Sequence, residues 1–525
     1  MPTTLNLDKQ QIEKLRDTAD HIVSDLAPTL KRYTTVSVER SVLRLFGLDG
    51  VSEGKVPYPN VIVDHLEPVV GDGVAMYVGN AMLKYGYSLS QIAEKVDSGE
   101  LNLMQQEFLP KTEIKDFLNE MAMEATGRIN EMVAQRDAYL EKYPSGKKPW
   151  KYVIVATGNI YDDAIQAKNA ALRGADIIAV IRSTGQSLLD FIPYGPTTEG
   201  FGGTYATQEN FRIMRKALDE VMDKTGRYIR LVNYASGLCM PEIVVMGAFE
   251  RLDMMLNDSM YGILFRDINP VRTFIDQFFS RMIDGVSDII INTGEDNYLT
   301  TSDAIENAHT VLASDFINEA FGLKAGLKPG LLGLGHAFEM NPNKEDGFLL
   351  ELAQAFMLKE IFPEAPLKYM PPTKFMSGDI FKGYAMNTLF NLIGVWSQQG
   401  IQLLGMLTEA MHTPYMQDRY LALENAAYVM NNASNIHNVF NVKENSIIKD
   451  RAVEVMNKTE EFLELVRDEG LFRAIELGRF AEIKRSRHGG KGMDGVVQKS
   501  RRYYNPFVPI FAEKLGIEKE IKQWI

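Results

Sequence analysis

From residue 150 onward, short runs of β-branched and other apolar residues alternate with stretches whose apolar positions recur at helical spacing. The short runs fall at 151–157, 176–183, 228–236, 255–262, 288–293, 331–338, 366–372 and 401–407. Each has the length and composition of a strand. Between them the pattern predicts helices, for example over Gln208–Lys224, Val271–Ile283 and Leu349–Ile361. Eight strand–helix units in roughly 285 residues is the count and length of a (β/α)8 TIM barrel. A doubly wound open α/β sheet is the rival that element order alone leaves standing; the barrel is favoured.

The flanks read differently. Residues 1–149 are mostly helical, with a long amphipathic run from Lys111 to Tyr143 that ends in the turn-rich linker Pro144–Pro149. Residues 150–449 form the expected barrel. Residues 450–525 give a helical segment followed by an irregular basic tail, GRFAEIKRSRHGGKGMDGVVQKSRRYYNPFVP. The longest uncharged stretch, Gly383 to Thr408, is interrupted by Asn387, Asn391, Gln398, Gln399 and Gln402, so it reads as a buried helix followed by a buried strand rather than a membrane span.

Composition narrows the class. The 525 residues are 45% hydrophobic and 24% charged, as in ordinary globular proteins. A net charge of -13 argues against nucleic acid as the main partner. The N-terminus lacks the apolar core of a signal peptide, and the single cysteine, Cys239, suits a reducing cytoplasm. With seven histidines there is no H-x-H or H-E-x-x-H pair, so no metal site is expected. No P-loop, G-x-S-x-G elbow or D-x-H-x-x-G cobalamin motif is present.

In a barrel the chemistry belongs at the C-terminal strand ends. The second strand runs into Arg182-Ser183-Thr184-Gly185-Gln186-Ser187. One guanidinium, three hydroxyls, an amide and a glycine make this loop the best phosphate candidate; the bland alternative is a hydroxyl-rich turn with a surface arginine. Ser236 ends the third strand and Tyr261 the fourth, where a tyrosine either stacks on a planar ligand or packs the rim. The fifth runs into Glu295-Asp296-Asn297. Lys368, in an apolar strand, either faces inward, paired with a carboxylate such as Asp296 or a ligand anion, or reaches past the strand end to solvent. His336 reads as a structural histidine, and Gly200–Thr204 as a lid or a plain mobile loop. Lys484, Arg485, Arg487, Lys491, Lys499, Arg501 and Arg502 make a basic cluster, either a solvated surface or a contact for a partner.

Long strings carry a resemblance that spans essentially the whole chain: Ile181–Glu220, VNYASGLCMPEIVVMGAFERLDMMLNDSMYGILFRDINPVRT, INTGEDNYL, PLKYMPPTKFM and GRFAEIKRSRHGGKGMDGV. They resemble the D-lysine (β-lysine) 5,6-aminomutase α-subunit family. The resemblance implies that Arg182, Ser183, Thr184, Gln186 and Ser187, with Gly185 among them, hold the phosphate of pyridoxal phosphate. It further implies that Ser236 meets the pyridine nitrogen, that Tyr261 stacks on the ring with Arg266 nearby, and that Asp296 and Lys368 lie beside the imine and the substrate. Tyr261, Asp296 and Lys368 are the expected catalytic residues. A smaller β subunit would carry the adenosylcobalamin domain and the Schiff-base lysine, in an α2β2 assembly. The implied reaction is a radical shift of the terminal amino group of D-lysine or L-β-lysine from C6 to C5, in bacterial lysine fermentation. Two alternatives stand beside it. A subunit like that of ornithine 4,5-aminomutase is disfavoured by the missing cobalamin motif, and an inert cofactor-binding barrel by the intact loop, Tyr261 and Lys368.

Overall fold

In the computed structural model the described residues are 4–181, 186–200, 202–235, 237–258, 260–293, 305–337, 341–371, 373–409, 411–412 and 414–525. The barrel strands are β1 (Trp150–Ile154), β2 (Ile177–Ile181), β3 (Arg230–Tyr234), β4 (Met254–Leu256), β5 (Ile290–Asn292), β6 in two segments (Leu332–Gly333 and Gly335–Ala337), β7 (Lys368–Met370) and β8 (Ile401–Leu403). All are parallel, and each pairs with its neighbour in chain order, β8 returning to β1. The first segment of β6 pairs with β5 and the second with β7, so the sheet closes on itself at Leu334. The open-sheet rival is excluded.

Strand alternation decides which side chains fill the barrel. Trp150, Tyr152, Ile177, Ala179, Val232, Met254, Met370, Ile401 and Leu403 form one interior cluster. Their neighbours Val153, Ile178, Leu231, Met255, Ile291 and Tyr369 point outward into a second core shared with the helices. That outer core runs from Leu5 to Trp524, so both flanking segments are packed into the same apolar mass as the barrel helices. A short antiparallel ribbon ties the flanks together, Tyr33–Thr35 pairing with Val496–Gln498.

Local sequence starts the helices where they are needed. Thr35 caps the helix Val36–Leu45, accepting from the Val38 N–H at 3.0 Å. Asn269 caps Pro270–Val286 through the Arg272 N–H at 3.0 Å, and its amide also donates to Arg487 O and Gly489 O of the tail. Such caps satisfy the free N–H groups of the first turn. The predicted helices are found at Gln208–Thr225, Pro270–Val286 and Gly347–Ile361, and the uncharged stretch resolves into the helix Ile380–Trp396 followed by β8. Among the described residues no helix is long and apolar enough to cross a membrane.

Candidate active site

Parallel closure puts every strand's C-terminal end on one face, the mouth. A register shift between Ala179 and Ile181 irregularly ends β2 just before the hydroxyl-rich loop; such a bulge re-aims the chain beyond it. Arg182, Ser183, Thr184 and Gly185 lie outside the described residues, as do Ser236 and Asp296. Gln186 and Ser187, in the single turn Gln186–Leu188, are buried. The Gln186 amide donates to Ala206 O at 2.9 Å and accepts from Ala206 N at 2.6 Å, so this side chain ties the loop to the segment beyond the Gly-rich run. The last residue of that run is fastened: Thr204 is buried, donates to Asp163 Oδ2 and accepts from the Gly158 N–H at 2.9 Å. Thr204 is thus no part of a free lid.

The segment after β3 sits against the same turn. Leu238 N–H donates to Ser187 O at 3.1 Å. Gly237, at φ 122, would bring a Cβ to 2.5 Å from Ser187 Cα, so only glycine allows this approach.

Tyr261 corrects the strand assignment made from the 255–262 run. β4 stops at Leu256, and Tyr261 lies in the first turn of the helix Met260–Arg266. The reason is local: Asn257-Asp258-Ser259 are turn formers, and Asp258 Oδ1 accepts from the Tyr261 N–H at 3.2 Å, as a cap does. Tyr261 and Arg266 are brought together. Arg266 Nη2 donates to the Tyr261 hydroxyl at 3.1 Å, its guanidinium lies 5.3 Å from the ring centre, and its buried Nε–H has no hydrogen-bond partner among the described residues.

Lys368 opens β7, inward-facing two residues before Met370 and only 1% exposed. The solvent-reaching alternative is therefore excluded. His336 is structural: it hydrogen-bonds Gln399 at 2.9 Å and stacks 4.8 Å from Tyr369, and burial pushes its pKa down to about 4.

The sequence reading missed Asn292, which ends β5 two residues beyond inward-facing Ile290. It is 1% exposed, and among the described residues neither its side-chain oxygen nor its nitrogen has a hydrogen-bond partner. An amide buried in this way costs free energy unless something polar meets it. A polar residue interrupting the apolar run DIIIN was the available signal. Also missed was a buried charge network behind the mouth. Glu242, fully buried at the start of the helix Met240–Phe249, accepts from Arg40 Nε at 2.7 Å and Arg44 Nε at 2.8 Å. Charged residues inside the apolar pattern VSVERSVLRL were its signal.

The basic tail is not a free cationic arm. Arg485 donates to Ile263 O at 3.0 Å and to Leu264 O, and Lys491 Nζ donates to Arg266 O at 2.9 Å. These cations cap the C-terminal carbonyls of the Tyr261 helix, where its dipole favours positive charge. Lys499 donates to Leu30 O at 3.0 Å and Arg502 pairs with Asp72 at 2.9 Å.

This is the face on which TIM-barrel enzymes bind their ligands, and the closed parallel sheet puts the chain in the TIM-barrel class. Comparison with known proteins narrows the class. The family described as the D-lysine 5,6-aminomutase TIM-barrel domain of the alpha subunit matches residues 5–510, and the chain belongs to it. The lysine 5,6-aminomutase alpha subunit of Acetoanaerobium sticklandii is 56% identical over 512 residues, covering 97% of this chain and 99% of that one. Its counterpart from Fusobacterium nucleatum is 55% identical over 509 residues, 96% and 98% of the two chains. The D-ornithine 4,5-aminomutase subunit beta of A. sticklandii is 28% identical over 370 residues, 68% of this chain but 50% of that protein.

Proposed function

We infer that this chain is the alpha subunit of a lysine 5,6-aminomutase, an isomerase that shifts a terminal amino group between neighbouring carbons of D-lysine or L-β-lysine. The observation that carries this is the end-to-end match at 56% identity, which leaves almost no part of either chain uncovered. The ornithine-type alternative is not favoured, at half that identity and over half the length of its relative.

The mouth fits pyridoxal phosphate. A planar ring has Tyr261 to stack on, and the free Arg266 Nε–H and the Asn292 amide are buried polar groups that a polar ligand would satisfy. Arg182, Ser183, Thr184, Gly185, Gln186 and Ser187 would hold its phosphate, Ser236 its ring nitrogen, and Asp296 and Lys368 would face the reacting amino group. When bound, pyridoxal phosphate supplies the carbonyl that carries the migrating nitrogen, and adenosylcobalamin, held mainly by a partner subunit, supplies the radical that starts the reaction.

This chain's part is to bind, orient and exclude water. Arg266 keeps the Tyr261 hydroxyl turned toward itself and so fixes the ring plane. The apolar interior closes the floor, with Tyr152 and Tyr234 in hydroxyl contact at 3.4 Å. Lys368, held in that low-dielectric wall, offers a cation to a substrate carboxylate or to Asp296 without admitting solvent.

A partner is supported by the rim. Tyr161, Ile165, Ile380, Phe381, Met411 and Tyr415 are exposed apolar side chains following β1, β7 and β8, three adjacent strands. An apolar arc around a catalytic mouth is the kind of surface a second subunit covers. We assign that subunit the cobalamin domain, in an α2β2 assembly, and the enzyme to the cytoplasm, which suits the lone buried Cys239.

The test is reconstitution with the cobalamin-carrying partner, both cofactors and D-lysine or L-β-lysine, following formation of the 5-amino product. Arg182→Ala should weaken pyridoxal phosphate binding by about 1.5–3 kcal/mol, the worth of a charged hydrogen bond. Absence of turnover with every lysine isomer, or an unchanged cofactor affinity in that variant, would overturn the reading.

A further inference from the structure

We propose that Arg272 is a positioning residue that sets the spacing between the phosphate loop after β2 and the ring-nitrogen segment after β3. The proposal rests on the cofactor reading above and adds a residue that touches neither cofactor nor substrate.

Arg272 belongs to neither segment. It lies in the helix Pro270–Val286, beyond β4, and its side chain is fully buried. From there it reaches both. Nη1 and Nη2 donate to the two oxygens of Asp190 at 2.7 and 2.6 Å, a two-pronged grip three residues past Ser187. Nη2 also donates to Leu238 O at 2.9 Å, two residues past Ser236. The Leu238 N–H in turn donates to Ser187 O, so one closed ring of hydrogen bonds runs through the turn, Asp190, Arg272 and Leu238. Arg40 adds a further donor to Asp190, and Asn60 donates to the Asp190 carbonyl at 3.0 Å.

The surroundings are shaped around this guanidinium. Nη1 donates to Gly492 O of the tail at 3.2 Å, and Nε faces Asp276 at 3.5 Å. A Cβ on Gly492 or Gly495 would lie 2.7 or 2.5 Å from Arg272 Nη1, so the GGKGMDG run supplies the room. Burial would raise the Asp190 carboxyl, but the hydrogen bonds and charges of Arg272 and Arg40 hold it below the ordinary aspartate range. The anion that orients Arg272 therefore persists at neutral pH.

A buried charge cluster is a poor device for stability alone, because apolar residues of equal volume do as well or better. It is a good device for geometry, since a planar guanidinium fixes distance and plane together. Pyridoxal phosphate is a rigid spacer between its phosphate and its ring nitrogen. Two loops that grip opposite ends of a rigid ligand must be held at one separation, and small errors in such support are costly.

The experiment uses the full chain assembled with its partner and pyridoxal phosphate as the probe. Asp190→Ala and Arg272→Lys should raise the cofactor dissociation constant about tenfold, the size typical of residues that orient binding groups from behind. They should also shift the absorption maximum of the bound cofactor. Asp190→Asn, which keeps one acceptor oxygen, should lie between them and wild type. Where Arg272→Lys does not fold, the Asp190 pair decides, since that side chain is 37% exposed. Wild-type affinity and spectrum in folded Asp190→Ala, with only a lowered melting temperature, would reduce the network to packing and overturn the proposal. Arg182→Ala, run alongside, separates the two failures: if it too binds normally, the phosphate-loop reading is what fell.

Discussion

The two sides of the barrel mouth are finished in opposite ways. Around the loops that follow β2, β3 and β4, the protein's own flanking segments close the wall. Arg40 and Arg44 of the helix Val36–Leu45 meet Glu242, Arg40 also pairs with Asp190, and tail residues Arg485 and Lys491 cap the Tyr261 helix. Around β7, β8 and β1 no such cover exists among the described residues, and Phe381 stands 90% exposed with Tyr415 at 68%. The closed side is polar and knitted together by buried ion pairs; the open side is apolar and bare. Nearly every residue proposed to hold the cofactor belongs to the segments after β2, β3 and β4. The contrast makes the flanks part of the mouth's supporting structure, and it is on the open side that we propose a second subunit docks.

The closed side breaks most sharply at its buried carboxylate. Glu242→Ala leaves Arg40 and Arg44 without their shared partner, and should lower unfolding free energy by about 3–5 kcal/mol, as stranded buried charges do. Urea denaturation measures it, and a loss below about 1 kcal/mol would mean that the network relaxes onto Asp190 and Asp49.

Acid should loosen the wall beneath the open side. His336 is held neutral at a pKa of about 4 against an ordinary 6.5, so its contribution is complete above pH 6.5 and lost as pH falls toward 4. The full span is worth about 3 kcal/mol by proton linkage. His336→Gln should flatten stability against pH over that window; an unchanged slope would assign the acid sensitivity to other groups.

Asn292 sharpens the comparison at the ligand itself. Asn292→Leu removes a buried amide that has no hydrogen-bond partner among the described residues, and should stabilise the cofactor-free protein by about 1–2 kcal/mol. The same change should weaken cofactor or substrate binding, so the two measurements move in opposite senses. Destabilisation together with normal binding would make the amide structural.

On the open side the smallest effect on folding is expected. Phe381→Asp should change the stability of the isolated chain by less than about 0.5 kcal/mol, because the ring touches solvent. Yet it should weaken assembly with the partner subunit in sedimentation experiments. Full assembly at wild-type affinity would remove Phe381 from the interface.

Hydrophobic patterning determined more than the fold class. The number of strands, their approximate places and the long helix now seen at Lys111–Lys142 were legible, because strands buried on both faces must be apolar throughout and their helices must repeat every turn. The resemblance of long strings named the family. What the chain could not declare was where side chains meet across distance. Tyr261 was read onto a strand because the run from Met255 looks continuous, and only the Asp258 cap shows a helix starting there. The tail's cations read in sequence as a solvated surface or a partner contact, but in space Arg485 and Lys491 meet carbonyls more than two hundred positions away. Arg272, Asp190 and Gly492 lie in three separate segments with no shared periodicity. Periodicity reports which face of an element is buried. Only tertiary packing decides which buried charge finds which partner, because that depends on three-dimensional proximity and the cost of leaving a charge unpaired.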